Sequence, residues 1–140
     1  MTNNQARAKA RIEIIDALKA AGLMEGNSLT AAQLHNETRP AFWRGIVRDP
    51  TAKAKETYAT WQIVGSSAHT RGDDKTQLRE LTIAVDIFSK RSFDSEQTQK
   101  TLGEIENALS TAGFEVEQAA EQYHEDSKLF HTPMTLIKIY

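Results

Sequence analysis

Cysteine is absent from this 140-residue chain. That absence excludes disulfides, thiolate nucleophiles and zinc sites built on sulfur. Long apolar runs are lacking too. No stretch approaches the roughly 20 consecutive apolar residues that a membrane-spanning helix requires. The N-terminal stretch MTNNQARAKARIEIIDALK contains no apolar signal-peptide core, so a protein folding in a cytoplasm, with no membrane partner, is expected. The Asn36-Glu37-Thr38 sequon carries no weight without such a signal. Nor is there an excess of charge of one sign. Lys and Arg number 17 against 19 Asp and Glu, a formal net charge of -2. A phosphate backbone selects markedly basic proteins, so tight nucleic-acid binding is disfavoured. Internal repeats and low-complexity segments are also missing, and the length fits a single domain over residues 1–140.

Hydrophobic residues make up 39% of the chain, enough for one two-layer core. Helical periodicity runs from about Asn4, a candidate N-cap, to Ala21, with Gly22 placed for a left-handed C-cap. Ile14, Ile15, Leu18 and Ala21 share one face, with Ala10 and Ala17 at its edge, while Ile12 falls toward the polar side. Thr30 and Gln33 have the spacing of a capping box for one short turn. Phe42 to Arg48 alternates as a short strand, and Thr51 to Thr57 is a polar connector. Tyr58 to Gly65 is rich in aromatic and β-branched residues and reads as a strand. Ser66 to Lys75 reads as a polar loop. Leu78 to Ser89 then alternates cleanly, with Leu81, Ile83, Val85 and Ile87 on one side and Glu80, Thr82, Ala84, Asp86 and Phe88 on the other. Asp94 is a candidate N-cap for a second helix. Its stripe is Thr98, Leu102, Ile105, Leu109 and Ala112, and Gly113 ends it. Phe114 to Val116 is extended, Gln118 to Lys128 is polar, and Phe130 to Tyr140 closes the chain as a strand with Pro133 near its start or at a bulge. Grouped strands imply an α+β fold, with one mostly antiparallel sheet carrying two amphipathic helices on one face.

A search for chemistry finds little. His124-Glu125-Asp126 with His131 nearby is the one cluster to test as a metal site, and none of the four histidines has a recognised ligand spacing. Polar surface residues flanking a strand are the favoured reading. Ser66 and Ser67 lie near His69 in sequence but lack a nucleophile elbow. Asp73 and Asp74 are too few oxygen ligands for a divalent ion. Glu104 and Glu106 read as solvated helix residues, and Trp43 and Trp61 as core or interface residues rather than base-stacking platforms. No catalytic residue, metal ligand or cofactor is assigned.

With the elements in this order, the chain resembles the tail terminator, or tail completion, proteins of long-tailed bacteriophages, also described as minor tail or neck proteins. The likeness is carried by the N-terminal amphipathic helix leading towards the aromatic-rich TYATWQIVGSS, the loop HTRGDDKTQ, LRELTIAVDIFSK, the helix SEQTQKTLGEIENALSTAGFEV and the terminal HTPMTLIKIY. The stretch from Ile83 to Phe88 is the most family-like piece, and the likeness covers almost the whole chain. The resemblance implies a virion protein of the tail or neck that forms a homo-oligomeric ring, typically a hexamer. Such a ring stops polymerisation of the tail tube protein and docks to the head–tail connector or neck proteins, with DNA passing through it and no reaction catalysed. The segments Glu25–Thr38 and Thr51–Thr57 fit the family loosely. They keep a head-completion or neck-joining role open, beside a less favoured small metal-dependent enzyme.

Self-association is expected from aromatic residues beyond those a small core obviously needs: Trp43, Tyr58, Phe93 and Tyr140. The loop tip bearing Arg71, Asp73, Asp74 and Lys75 is the candidate contact between copies or partners. Exposed pairs contribute only about 0–1 kcal/mol each, yet repeated around a ring they set register and partner choice. Changing Arg71, Asp73 and Asp74 together to Ala is expected to leave the melting temperature nearly unchanged and to impair ring formation or tube capping, read by calorimetry and electron microscopy. Normal assembly by the triple variant would reduce the loop to a linker.

Overall fold

The computed structural model describes residues 1–47, 56–70, 77–92 and 94–140. Helix α1 spans Asn3–Ala20, and Thr2 rather than Asn4 caps it. The Thr2 hydroxyl accepts from the Gln5 N–H at 3.2 Å, and the Gln5 side chain accepts from the Thr2 N–H at 2.9 Å. This reciprocal box satisfies two donors where a lone Asn satisfies one. Gly22 ends the helix at φ 93, as its position in the sequence requires. Ala6, Ala10, Ile14, Ala17 and Leu18 are buried, and the small side chains let the helix lie close to the sheet.

The chain continues through β1 (Met24–Glu25), a 3-10 turn (Gly26–Ser28), α2 (Ala31–Asn36) and β2 (Ala41–Arg44). The Thr30–Gln33 capping box forms as expected. A Cβ on Gly26 would stand 2.0 Å from the Trp43 ring, so the absent side chain is what lets that indole pack. The strand expected to reach Arg48 stops at Arg44. Gly45, at φ 75, turns the backbone, and its N–H donates to Trp61 O at 2.8 Å before Ile46 swings into solvent, 81% exposed. Within β2, Phe42 and Trp43 are both buried, on opposite faces, which blurs the alternation.

Strands β3 (Thr57–Thr70) and β4 (Gln77–Ser89) pair antiparallel over their full length. The expected loop from Ser66 is therefore corrected: Ser66 to Thr70 belong to β3. Ladder hydrogen bonds need only backbone, so the polar side chains there do not end the strand. A bulge between Ile63 and Gly65 leaves Val64 unpaired and 55% exposed. Helix α3 (Glu96–Thr111) starts after Ser95, not Asp94. The Ser92–Ser95 turn, closed by the Ser95 N–H to Ser92 O at 3.0 Å, holds Asp94 outside the helix. Strands β5 (Glu115–Gln118), β6 (Gln122–His124) and β7 (Leu129–Ile139) complete the chain, so the segment read as merely polar contains a strand.

The sheet order is β1-β2-β3-β4-β7-β5, with β6 also paired to β7. β1–β2 and β2–β3 are parallel and the other pairs antiparallel, giving the mixed but mostly antiparallel α+β sheet. Pro133 lies inside β7 opposite Asp86 rather than at a bulge. Its carbonyl accepts from the Ala119 N–H at 2.9 Å. Its missing N–H therefore faces the junction where β7 changes partner from β5 to β6.

Helices α1 and α3 cover one face. Leu81, Ile83, Val85 and Ile87 are fully buried there with Ile14, Leu18, Leu102, Ile105, Leu109 and Leu136. A smaller cluster on the other face joins Leu34, Ala41, Trp43, Val47, Tyr58 and Leu129. Trp43 and Tyr58 are thus consumed within the chain, which corrects their reading as surplus aromatics; Phe93 lies outside the described residues. Lys138 bonds both Glu13 and the Ala112 carbonyl, and Tyr140 donates to Glu13 at 3.4 Å, joining β7 to both helices. Burial, then the Glu13 charge and hydrogen bond, raise the Tyr140 phenol well above its ordinary range. Ile105→Ala removes a fully buried side chain of the main core and is expected to cost about 2–5 kcal/mol in urea denaturation. A negligible change would mean that the helix does not pack as described.

Candidate functional site

Directly opposed residues of an antiparallel ladder share a face. Register places Tyr58 opposite Phe88, and Phe88 opposite His131, on the face away from α1 and α3. The result is a column of rings. Trp43 meets Tyr58 edge-on at 6.2 Å, Tyr58 stacks on Phe88 at 4.9 Å, and Phe88 stacks on His131 at 4.5 Å. Burial raises the Tyr58 phenol above its ordinary value.

His131 is held from both sides. Its Nε2 lies 2.6 Å from Asp86 Oδ1 and its Nδ1 lies 3.0 Å from His124 Nε2. A carboxylate only accepts, so Nε2 of His131 carries the hydrogen in this bond. In a neutral ring Nδ1 then accepts from the His124 Nε2–H. Asp86, on β4, sits one strand away and two residues along from the position facing His131, while His124 reaches in from β6. The three side chains form a line ending at exposed His124. A line uses both ring nitrogens and leaves no shared point for an ion. Among the described residues no group of three or more His, Asp or Glu side chains is arranged to hold a metal. Beside the column, a groove of about 310 Å³ is lined by Gly45, Ile46, Val47, Tyr58, Thr60, Gln62, Asp86 and Phe88.

The histidine cluster read from the sequence is therefore half assembled. His124 and His131 meet, whereas Glu125 and Asp126 lie exposed in the turn after β6. Asp86 was missed. Its only signal was membership of the polar side of β4, and its meeting with His131 depends on strand register. Ser66 and Ser67 fall on opposite faces of β3, and the Ser66 hydroxyl donates to Asn3 Oδ1 at 2.7 Å, far from any base role. Trp61 is 2% exposed and Trp43 is buried, in keeping with core roles. Glu104 is exposed and Glu106 half-buried on α3. Arg71, Asp73, Asp74 and Lys75 lie outside the described residues.

No known family model matches the chain, and no curated protein does so either.

The Asp86–His131 bond is the part of the line with structural weight. Asp86→Ala leaves His131 Nε2 without its acceptor and is expected to cost about 1–3 kcal/mol in urea denaturation. His124→Ala, at the exposed end, is expected to stay within about 0.5 kcal/mol of the unaltered protein. Equal effects would mean that the line acts as one unit.

Proposed function

We propose that the chain is a structural protein of a long-tailed phage, assembling as a homo-oligomeric ring that closes the end of the tail tube. The ring stops addition of tail tube protein and presents the surface for the head–tail connector or neck proteins. Its place is the tail or neck of the virion, with DNA passing through the ring. The reading starts from the family resemblance in the segments Thr57–Ser67, His69–Lys90, Ser95–Val116 and His131–Tyr140.

The observation that carries it is the one-sided sheet. Both long helices pack on one face. On the other, Gln62, Thr82, Ala84, Thr135, Ile137 and Ile139 run across β3, β4 and β7. All six are half-buried or exposed, and Ile139 is 52% exposed. A broad strand surface with interleaved polar and aliphatic side chains suits contact with other protein surfaces in an assembly.

Sedimentation and negative-stain microscopy, alone and with tail tubes, test the reading. Rings that cap the tubes are the expected result. A monomer at every concentration that binds no tube overturns it. Binding to the connector without tube binding moves the assignment to a head-completion or neck protein.

A further inference from the structure

The two lateral edges of the sheet differ in charge and agree in geometry. β2 covers β3 only from Tyr58 to Trp61. Beyond the Gly45 contact with Trp61, β3 from Ile63 onward has no outer strand among the described residues. Which backbone groups point outward follows from the ladder. Arg79 exchanges both backbone bonds with Tyr140, so Arg79, Leu81 and Ile83 face β7, while Leu78, Glu80 and Thr82 face β3. Their partners His69, Ser67 and Gly65 point inward, which leaves the N–H and C=O of Ser66 and Ala68 pointing outward. At the other edge, Ala119 donates inward to Pro133, so Glu115 and Glu117 bond β7 while Val116 and Gln118 point outward.

The outward residues of both edges carry their side chains on the same face. Ser66 and Ala68 lie opposite Leu81 and Arg79, and Val116 opposite Leu136, all on the helix side. Joining one edge to the other therefore continues the pleat with the helices of every copy on one face. The opposite phase would turn alternate copies over, which rotation about a ring axis forbids. β5 also runs antiparallel to β3, since three antiparallel pairings separate them.

Charged side chains flank both edges, on opposite faces of the sheet. Beside β3, the Arg7 Nε contacts Asn3 Oδ1 at 3.4 Å, the same oxygen that binds Ser66. Arg11 follows one turn on and borders a recess with Arg44, whose guanidinium lies 5.3 Å from the Trp61 ring. At the β5 edge stand exposed Glu115 and Glu117, on the open face. None of these five joins a salt bridge among the described residues.

We infer that copies of this chain join head to tail by antiparallel pairing of the upper half of β3, Ile63–Thr70, with β5, Glu115–Gln118, of the next copy. Unlike edges meet because like edges, paired about a two-fold axis, close at a dimer. The inference rests on the ring reading and names its interface. A heterologous contact of this kind closes into a ring when its rotation closes, and strand addition at an edge is an established way for backbone bonds to supply affinity.

The cysteine-free chain permits a clean test. Ser67 and Glu117 both bond inward and both project on the open face, as does Glu115. Across the new interface they become non-hydrogen-bonded neighbours, whose Cα separation of about 4.5 Å lies within the disulfide range. Ser67→Cys combined with Glu117→Cys, or with Glu115→Cys for a register two residues away, is expected to give a ladder of covalent oligomers on mild oxidation. Ser67→Cys with Val116→Cys, on opposite faces, is expected to give none. Gln118→Pro removes an outward N–H without touching the β7 ladder, and is expected to shift the protein to monomer with its circular dichroism unchanged. Rings that form without either cross-link, and that survive Gln118→Pro, overturn the strand-edge interface while leaving the ring reading in place. A protein that stays monomeric, alone and on tail tubes, overturns both.

Discussion

Burial of Leu81, Ile83, Val85 and Ile87 on one face of a strand paired on both sides is the constraint from which the rest of the molecule follows. β4 is bonded to β3 along its whole length and to β7 from Glu80 to Ser89, so its backbone is satisfied and its position fixed. Four aliphatic side chains then demand a cover, each worth about 1.5–3 kcal/mol on full burial. Helices α1 and α3 supply it. The Lys138 contacts with Glu13 and Ala112 tie both helices to the neighbouring strand, so the cover cannot slide along the sheet without breaking a partly buried charge pair.

Much of the local pattern is legible, although the Thr2–Gln5 capping box, just as local, stands where Asn4 was expected. The clean alternation of β4, the stripe of α3 and the glycines that end both long helices each depend on neighbours a few residues apart. The larger errors fell where tertiary pairing decides. Ser66 to Thr70 look like loop because their side chains are polar, yet β4 holds them as strand. Phe42 and Trp43 hide their strand's orientation because both faces are buried, one against the main core and one against α2. Tyr123 and His124 sit in a polar stretch that becomes β6 only because β7 lies beside it. At the site, adjacent letters suggested His124, Glu125 and Asp126, whereas the assembled line draws on Asp86, 45 positions from His131. No local signal couples such distant residues; strand register does.

The ring column on the open face clarifies how a single sheet can use its two sides differently. Trp43, Tyr58, Phe88 and His131 stiffen the half of that face nearest α2, with the imidazole fixed by Asp86. The other half, from Gln62 and Thr82 to Ile139, has no such cover among the described residues. A rigid half beside an open half suits a subunit that must keep its shape while meeting others. The proposed assembly uses the sheet's edges for copy-to-copy contact, and leaves the open face for the tube, the head or the channel.

Pro133 has a consequence for solubility. An unbroken strand beside β7 would offer a long, flat row of unpaired backbone groups, the kind of template on which amyloid-like stacking begins. The proline withholds its N–H where β5 gives way to β6, so that edge is divided into two short strands, Glu115–Gln118 and Gln122–His124, each too brief to seed a fibre by itself. Two short strands there offer less template for unwanted edge pairing than one long strand would.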